Sequence, residues 1–213
     1  MLNTSFGKFK TILCIGAHPD DIEIGCGGTI LKLLAEQNAV TVHWIILSTK
    51  KDNASEPMQS AERFLRDAKD KDIVQKNFQD TFFPHNGTEI KEYFNELGRK
   101  ISPDMIFTHR LEDRHQDHRL VSELTWNTFR DHLILEYEIP KYEGDLGQPN
   151  VFVTLDRETG AHKVQTLLST FSSQKEKKWF TSDTFWALLR LRGLESNSPS
   201  GFAEGFYSRK MIF

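Results

Sequence analysis

Ligand-type side chains concentrate in two short segments of this 213-residue sequence. The first is "HPDD", residues 18–21, which ends an apolar run, and the second is "HRLEDRHQDH", residues 109–118. Together they offer His18, Asp20, Asp21, His109, Asp113, His115, Asp117 and His118. Each residue alone has an ordinary explanation, since Asp commonly caps a helix and a single His is often solvated. Adjacent carboxylates beside a histidine, however, repel and desolvate one another unless a cation lies between them, so the pair of segments predicts a metal site.

The elements that position these segments follow from apolar periodicity. Short apolar runs predict strands over 9–16, 40–48, 80–84, 104–109, 133–139, 151–155 and 203–213. Helical spacing predicts helices over 30–37, 58–68, 90–101, 118–131, 157–171 and 181–192, with a glycine-rich turn at 25–28. Alternating strands and helices are typical of an α/β fold with a parallel sheet and helices on both faces. No repeat or linker interrupts the pattern, so a single domain over residues 1–213 is predicted.

Both ligand-rich segments follow predicted strands. In open α/β sheets, ligands bind beyond the carboxyl ends of the strands, where the strand order reverses. Pro19 favours an extended backbone at His18, so this side chain is expected to continue the strand direction and to point out of the end of the sheet.

Composition excludes several classes of protein. The net charge of −3 gives no basic footprint for nucleic acid, and no apolar stretch is long enough for a membrane span or the core of a signal peptide. Cys14 and Cys26 do not form a disulfide framework and are expected to be small buried residues. These features predict a soluble cytoplasmic enzyme with a small-molecule partner, and they leave association into a homo-oligomer open.

The motif "AHPDDIEIGCGGT" and the later "HQDH" resemble the PIG-L/LmbE-like family of metal-dependent N-acetylglucosaminyl deacetylases. The segment "RGLESNSPSGFAEGF" is similar to the family's closing segment. The resemblance implies a Rossmann-like three-layer sandwich with a mostly parallel sheet. It also implies hydrolysis of the N-acetyl group of an amino sugar or glycoconjugate with one Zn²⁺ per chain, while the ligand types leave Fe²⁺ or another divalent metal open.

The resemblance also implies roles for individual residues. It makes His18, Asp21 and His118 the metal ligands and Asp20 the general base, with His115 and Asp117 as an assisting pair. These roles agree with general chemistry, because three protein ligands with one open position are typical of catalytic zinc. A protonated His115 would stabilise the oxyanion while Asp117 orients its ring.

Substrate-binding residues are not assigned. Many members of the family have an arginine at the start of the helix after the second strand, but here the nearest arginine is Arg63, and no role is transferred to it. The segment "LEDR" before His115 is charged, where some members have an aromatic donor. Tyr142, Glu143 and Asp145 are candidate substrate contacts or, equally, part of an exposed polar loop.

Parts of the sequence are also compatible with three other functions. A dinucleotide-binding dehydrogenase is disfavoured, because the glycines do not form G-x-G-x-x-G after the strand and carboxylates would repel a pyrophosphate. A mononuclear iron oxygenase shares the ligand set of two histidines and a carboxylate, but Asp20 and His115 suit hydrolysis better. A non-catalytic metal- or sugar-binding domain would need neither of those two residues.

Overall fold

A seven-stranded sheet runs through the part of the chain that the computed structural model describes, residues 7–37, 39–49 and 54–212. Its strands are β1 (Thr11–Gly16), β2 (Thr41–Ile46), β3 (Asp70–Gln75), β4 (Met105–His109), β5 (Leu133–Tyr137), β6 (Val151–Leu155) and β7 (Phe202–Tyr207). They lie in the order β3-β2-β1-β4-β5-β7-β6. β1 to β5 pair in parallel, whereas β7 is antiparallel to both of its neighbours. The predicted mostly parallel α/β sheet is confirmed.

Helices cover both faces of this sheet. They are α1 (Asp21–Glu36), α2 (Ser55–Phe64), α3 (Gly87–Lys100), α4 (Gln116–Thr128), α5 (Arg157–Thr170) and α6 (Ser182–Glu195). One apolar core joins the sheet to α1, α2, α5 and α6, and a second joins its other face to α3 and α4. The result is the three-layer arrangement that the sequence predicted. Within the residues that the structure describes, no helix is both long and apolar enough to cross a bilayer.

The third strand was placed wrongly. Residues 80–84 were predicted as a strand, but they lead into a short 3₁₀ turn over Phe83–Asn86, and Thr81 has a left-handed φ of 67°. The strand is instead β3, which pairs with β2 along its whole length. β3 is an edge strand with the sequence DKDIVQ, and its partial exposure accounts for the missing apolar run.

The first helix begins nine residues earlier than the predicted start at residue 30. The glycines at 25–28 are therefore not a turn but lie inside α1. They allow close packing, because a Cβ on Gly25 would lie 2.2 Å from Cδ2 of Tyr137 and one on Gly27 would lie 2.6 Å from Cε1 of Phe64. Gly25 thus allows α1 to pack closely against β5, and Cys26 is buried among these glycines, as expected.

Candidate functional site

The two ligand-rich segments meet where the strand order reverses. β1 lies between β2 and β4, so the chain extends to one side through β2 and β3 and to the other through β4 and β5. The carboxyl ends of β1 and β4 are adjacent, and the backbone N–H of Ala17 donates to Nε2 of His109 at 3.0 Å. The fold therefore places residues 17–21 beside residues 109–118, as the parallel sheet predicts.

The three predicted metal ligands converge. Nδ1 of His18 lies 3.2 Å from Nε2 of His118 and 3.5 Å from Oδ2 of Asp21. Oδ1 of Asp21 lies 3.6 Å from Nε2 of His118. Two imidazole nitrogens and a carboxylate thus face one small volume, and this donor set suits a divalent cation such as zinc.

Carboxylates contact the opposite nitrogens of both histidines. Nδ1 of His118 lies 3.0 Å from Oδ2 of Asp113. Nε2 of His18 lies 3.0 Å from Oδ2 of Asp117 and 3.0 Å from Oδ1 of Asp80. A carboxylate behind a histidine ligand fixes the tautomer and directs the other nitrogen to the metal. His18 would then bind through Nδ1 and His118 through Nε2.

Asp20 is buried and holds an unusual backbone conformation. It precedes α1 with a φ of 82°, and its side chain makes no capping hydrogen bond, so the capping explanation for this residue is wrong. Asp20 is only 6% exposed, and its Oδ2 has no hydrogen-bond partner among the residues described. Burial, together with the charge of Asp21, raises the pKa of Asp20 well above its ordinary value. A carboxyl group whose pKa is raised in this way is suited to accept and release a proton during a reaction.

The neighbouring groups have opposite electrostatic tendencies. Burial opposes ionisation of Asp21, but its interactions with His118 and His109 outweigh burial and hold its pKa well below the ordinary value. Burial lowers the pKa of His118 to about 4, so the ring is neutral at neutral pH. Burial also disfavours a charge on His18, yet hydrogen bonds to Asp117, Asp21 and Asp80 raise its pKa well above 6.5. Three carboxylates around one imidazole make this a place where positive charge is stabilised.

His115 and Asp117 lie at the site but do not interact as predicted. The carboxylate of Asp117 contacts His18 and accepts hydrogen bonds from the backbone N–H groups of Thr81 at 2.7 Å and Phe83 at 3.2 Å. It is the backbone N–H of Asp117 that donates to Nδ1 of His115, at 3.3 Å. Burial and the neighbouring imidazoles lower the pKa of His115, which opposes the predicted imidazolium.

Four residues that contact this cluster have no role predicted from the sequence. Asp80 belongs to the misassigned segment after β3, and Lys141 lies in the loop after β5. Asp113 and His109 were candidates without a function, although both are buried beside His118. Only the density of charged residues in 109–118 could have indicated Asp113, whereas Asp80 and Lys141 become neighbours through tertiary contacts alone.

The candidate substrate contacts divide into two kinds. Tyr142 is 74% exposed, whereas Asp145 is turned inward and pairs with Lys141 at 2.7 Å. The guanidinium of Arg63 donates to hydroxyls of Ser169 and Thr170, each at 3.0 Å, on α5. Arg63 therefore has structural partners on α5.

Groups of acidic and imidazole side chains that could hold a metal ion occur here in three overlapping combinations within the described ranges. They are His18 with His115 and His118, Asp21 with His109 and His118, and His18 with Asp80 and Asp117. All three belong to the same cluster at the ends of β1 and β4. The residues present thus fit a divalent cation.

A family model and a curated relative both relate this chain to deacetylases. The model of the PIG-L family, described as GlcNAc-PI de-N-acetylase, matches residues 13–129, which is more than half of the chain. The chain is 28% identical over 148 residues to the uncharacterized deacetylase YaiS of Escherichia coli K12, covering 65% of this chain and 79% of that protein.

Several solved structures share the fold, among them two enzymes. The N,N'-diacetylchitobiose deacetylase of Pyrococcus horikoshii has a TM-score of 0.67 at 21% identity. The match covers 94% of this chain and 84% of the deacetylase chain. GalB, the 4-carboxy-2-hydroxymuconate hydratase of Pseudomonas putida KT2440, has a TM-score of 0.73 at 17% identity. The match covers 96% of this chain and 98% of the GalB chain. At these identities the likeness concerns the fold, which here accompanies two different reactions.

Proposed function

Because this chain belongs to the PIG-L family of de-N-acetylases, we propose that it is a zinc-dependent hydrolase that removes the N-acetyl group of an amino sugar or glycoconjugate. The observation that carries the proposal is the convergence of His18 Nδ1, His118 Nε2 and the Asp21 carboxylate, with one further buried carboxylate beside them. That fourth group, Asp20, is adjacent to a ligand in sequence yet has no hydrogen bond at Oδ2 within the structure described.

His18, Asp21 and His118 would hold the metal. Two neutral imidazoles and one carboxylate are the ligand set of catalytic zinc, which keeps a position open for water or substrate. When bound, the metal supplies a lowered pKa for water and polarisation of an amide carbonyl. The proton that His18 carries among three carboxylates would leave on binding, because a ligating histidine must be deprotonated.

Asp20 is the general base of the proposed reaction. Its carboxylate takes a proton from the attacking water and returns it to the departing amine, which must leave protonated. Its burial supports both steps, since a raised pKa makes the proton easier to accept and brings the group closer to the pH of the solution. Asp21, whose pKa is low, stays ionised throughout and is suited to ligation instead.

His115 acts as a neutral hydrogen-bond donor in this proposal. Its Nδ1 accepts from the backbone N–H of Asp117, so the proton of the neutral ring lies on Nε2. An Nε2–H group at the edge of the site can donate to the oxyanion of the tetrahedral intermediate. This revises the predicted imidazolium without changing the residue, and it gives Asp117 the different task of holding His18.

The test begins with metal removal and replacement. We expect chelation to abolish acetate release from N-acetylated amino sugars and zinc to restore it, with iron and cobalt as comparison metals. A panel of free sugars, oligosaccharides and sugar nucleotides would then identify the substrate class. Zinc-loaded protein that releases acetate from none of them would contradict the proposal.

Other functions would show themselves in the same experiments. Activity that requires Fe²⁺ and oxygen would identify an oxygenase, which the ligand types also permit. Addition of water to an unsaturated carboxylate, the reaction class of GalB, would identify a hydratase. Tight sugar binding without turnover would identify a binding domain.

A further inference from the structure

A buried lysine joins the loop after β5 to the candidate metal site. The side chain of Lys141 is only 9% exposed, and its Nζ lies 2.9 Å from Oδ2 of Asp113 and 2.7 Å from Oδ1 of Asp145. A buried ammonium group is unfavourable unless it is paired, and here two carboxylates pair with it. The lysine is therefore held in one position, with Asp113 on one side and Asp145 on the other.

Besides Lys141, the carboxylate of Asp113 has two further partners, one at each oxygen. Oδ2 lies 3.0 Å from Nδ1 of His118, the nitrogen that faces away from the other predicted ligands. Oδ1 accepts the backbone N–H of His115 at 2.7 Å, just before α4 begins. One carboxylate thus orients the ring of His118 and fixes the backbone that leads into the helix carrying it.

The loop end of this arrangement is also anchored. Oδ2 of Asp145 accepts the backbone N–H of Arg114 at 2.7 Å, and its carbonyl oxygen accepts from Nη1 of Arg110 at 2.9 Å. Both contacts reach the segment between β4 and α4. The loop after β5 is consequently tied at two points to the segment that supplies His118.

We propose that Asp113 and Lys141 are positioning residues that aim Nε2 of His118 at the metal. This inference rests on the proposed function, because it takes His118 to be a ligand. Asp113 keeps the ring proton on Nδ1 and so leaves the lone pair of Nε2 free for the metal. Lys141 compensates the negative charge of Asp113 and prevents its carboxylate from turning away. Neither residue touches the reacting atoms.

The test measures zinc affinity, not turnover. Chelator competition on the full chain would give the zinc dissociation constants of wild type, Asp113→Ala and Lys141→Met. We expect about 10- to 100-fold weaker binding in both variants, the usual effect of losing a partner behind a ligand. The matched control is Lys163→Met, since Lys163 is also a buried lysine, 3% exposed, but pairs at 2.5 Å with Glu204 and not with a carboxylate behind a predicted ligand. Its zinc affinity should stay at the wild-type value.

A spectroscopic measurement separates positioning from general loss of stability. In the metal-free wild type, ¹⁵N chemical shifts should report His118 protonated at Nδ1, and in Asp113→Ala they should report a mixture of tautomers. Asp145→Asn serves as the milder variant in case Lys141→Met does not fold, and it should weaken zinc binding less but in the same direction.

Each outcome has a distinct meaning. Wild-type affinity in Asp113→Ala and Asp145→Asn, or an equal loss in the Lys163→Met control, would overturn the inference while leaving the proposed function intact. Weaker zinc binding without any acetate release by wild type would support the positioning role and count against the deacetylase. A wild type that binds no divalent metal would overturn both.

Discussion

Two buried clusters of charged residues differ in how fully their polar atoms are paired by hydrogen bonds. One is built around Glu204 and the other lies at the ends of β1 and β4. In the first, Glu204 accepts at Oε1 from Lys163 and from the backbone N–H of Gly28 at 2.9 Å, and at Oε2 from the N–H of Thr29 at 2.7 Å. A similar pair lies nearby, where the guanidinium of Arg192 binds both oxygens of Glu138. Every carboxylate oxygen in these pairs has a partner, so the charges are balanced by the protein itself.

The cluster at the ends of β1 and β4 is not balanced in this way. Asp20 and Asp21 are adjacent and buried, and Oδ2 of Asp20 lacks a hydrogen bond within the described structure. Nδ1 of His109 also lacks one there, although its Nε2 accepts from Ala17. Buried polar groups that remain unpaired cost free energy, and proteins retain them mainly where they have a function. Completeness of pairing therefore separates the structural cluster from the candidate catalytic one.

Helix α1 connects the two clusters. Its first residue, Asp21, is a predicted ligand, and its backbone at Gly28 and Thr29 donates to Glu204 two turns later. Changes in each cluster should thus affect different properties of one helix: chemistry at its beginning and stability in its middle.

The largest effect is expected from His118→Ala. Removing one of three ligands should abolish zinc binding at stoichiometric concentration and with it all acetate release. Metal analysis of the purified variant, beside activity, is the measurement. Wild-type zinc content would refute the ligand assignment.

Asp20→Asn should follow, with about a 10²- to 10⁴-fold loss of activity, the usual contribution of a general base. Zinc content should not change, because Asp20 is not a predicted ligand. Thermal unfolding should occur at or above the wild-type temperature, since an unpaired buried carboxylate has been removed. Full activity would disprove the assigned role.

Glu204→Gln tests the fully paired cluster, where we expect an effect on stability and not on activity. It leaves the buried ammonium of Lys163 without its anion and should lower the free energy of unfolding by about 3–5 kcal/mol. Activity per folded molecule should remain that of wild type. The control Glu96→Gln removes an exposed partner of Lys100 and should leave the unfolding free energy unchanged. A catalytic defect in folded Glu204→Gln would end the distinction between the clusters.

The smallest effect is expected from Gly25→Ala in the shared helix. The new methyl group would overlap the ring of Tyr137, and overpacking of this kind costs about 1–3 kcal/mol. Gly87→Ala is the control, because nothing lies within 4 Å of a Cβ at the start of α3, and there alanine should stabilise by about 0.4–1 kcal/mol. Denaturant unfolding of the two variants compares them directly, and equal stabilities would refute the packing role of Gly25.

Much of the fold follows from the sequence because most strands here are buried on both faces. β1, β2, β4 and β5 were located, and the parallel sheet then placed the ligand-rich segments at one edge. β3 escaped because an edge strand rich in charge has no apolar run. The start of α1 escaped because Gly25 to Gly28 resemble a turn locally, and only the rings packed against them make helix the better conformation. The single-domain organisation of residues 1–213 stays a prediction.

The site was predictable in its composition but not in its internal contacts. Spacing and resemblance indicated His18, Asp20, Asp21, His115, Asp117 and His118, and the structure brings all six together. Their catalytic roles stay predictions. Which carboxylate contacts which imidazole depends on side chains from distant elements, such as Lys141, and no local pattern in the sequence specifies such contacts.

The left-handed backbone at Asp20 also has a genetic consequence. Asp, Asn and Gly are the residue types that adopt this conformation at low cost. The codons of Asp become codons of Asn or Gly by a single nucleotide change. If Asp20 is the general base, one such mutation abolishes catalysis but preserves the backbone conformation at residue 20, helix α1 and the metal ligands. The protein could thus evolve from an enzyme into a protein that only binds the same ligand, by a single substitution that does not disrupt the fold.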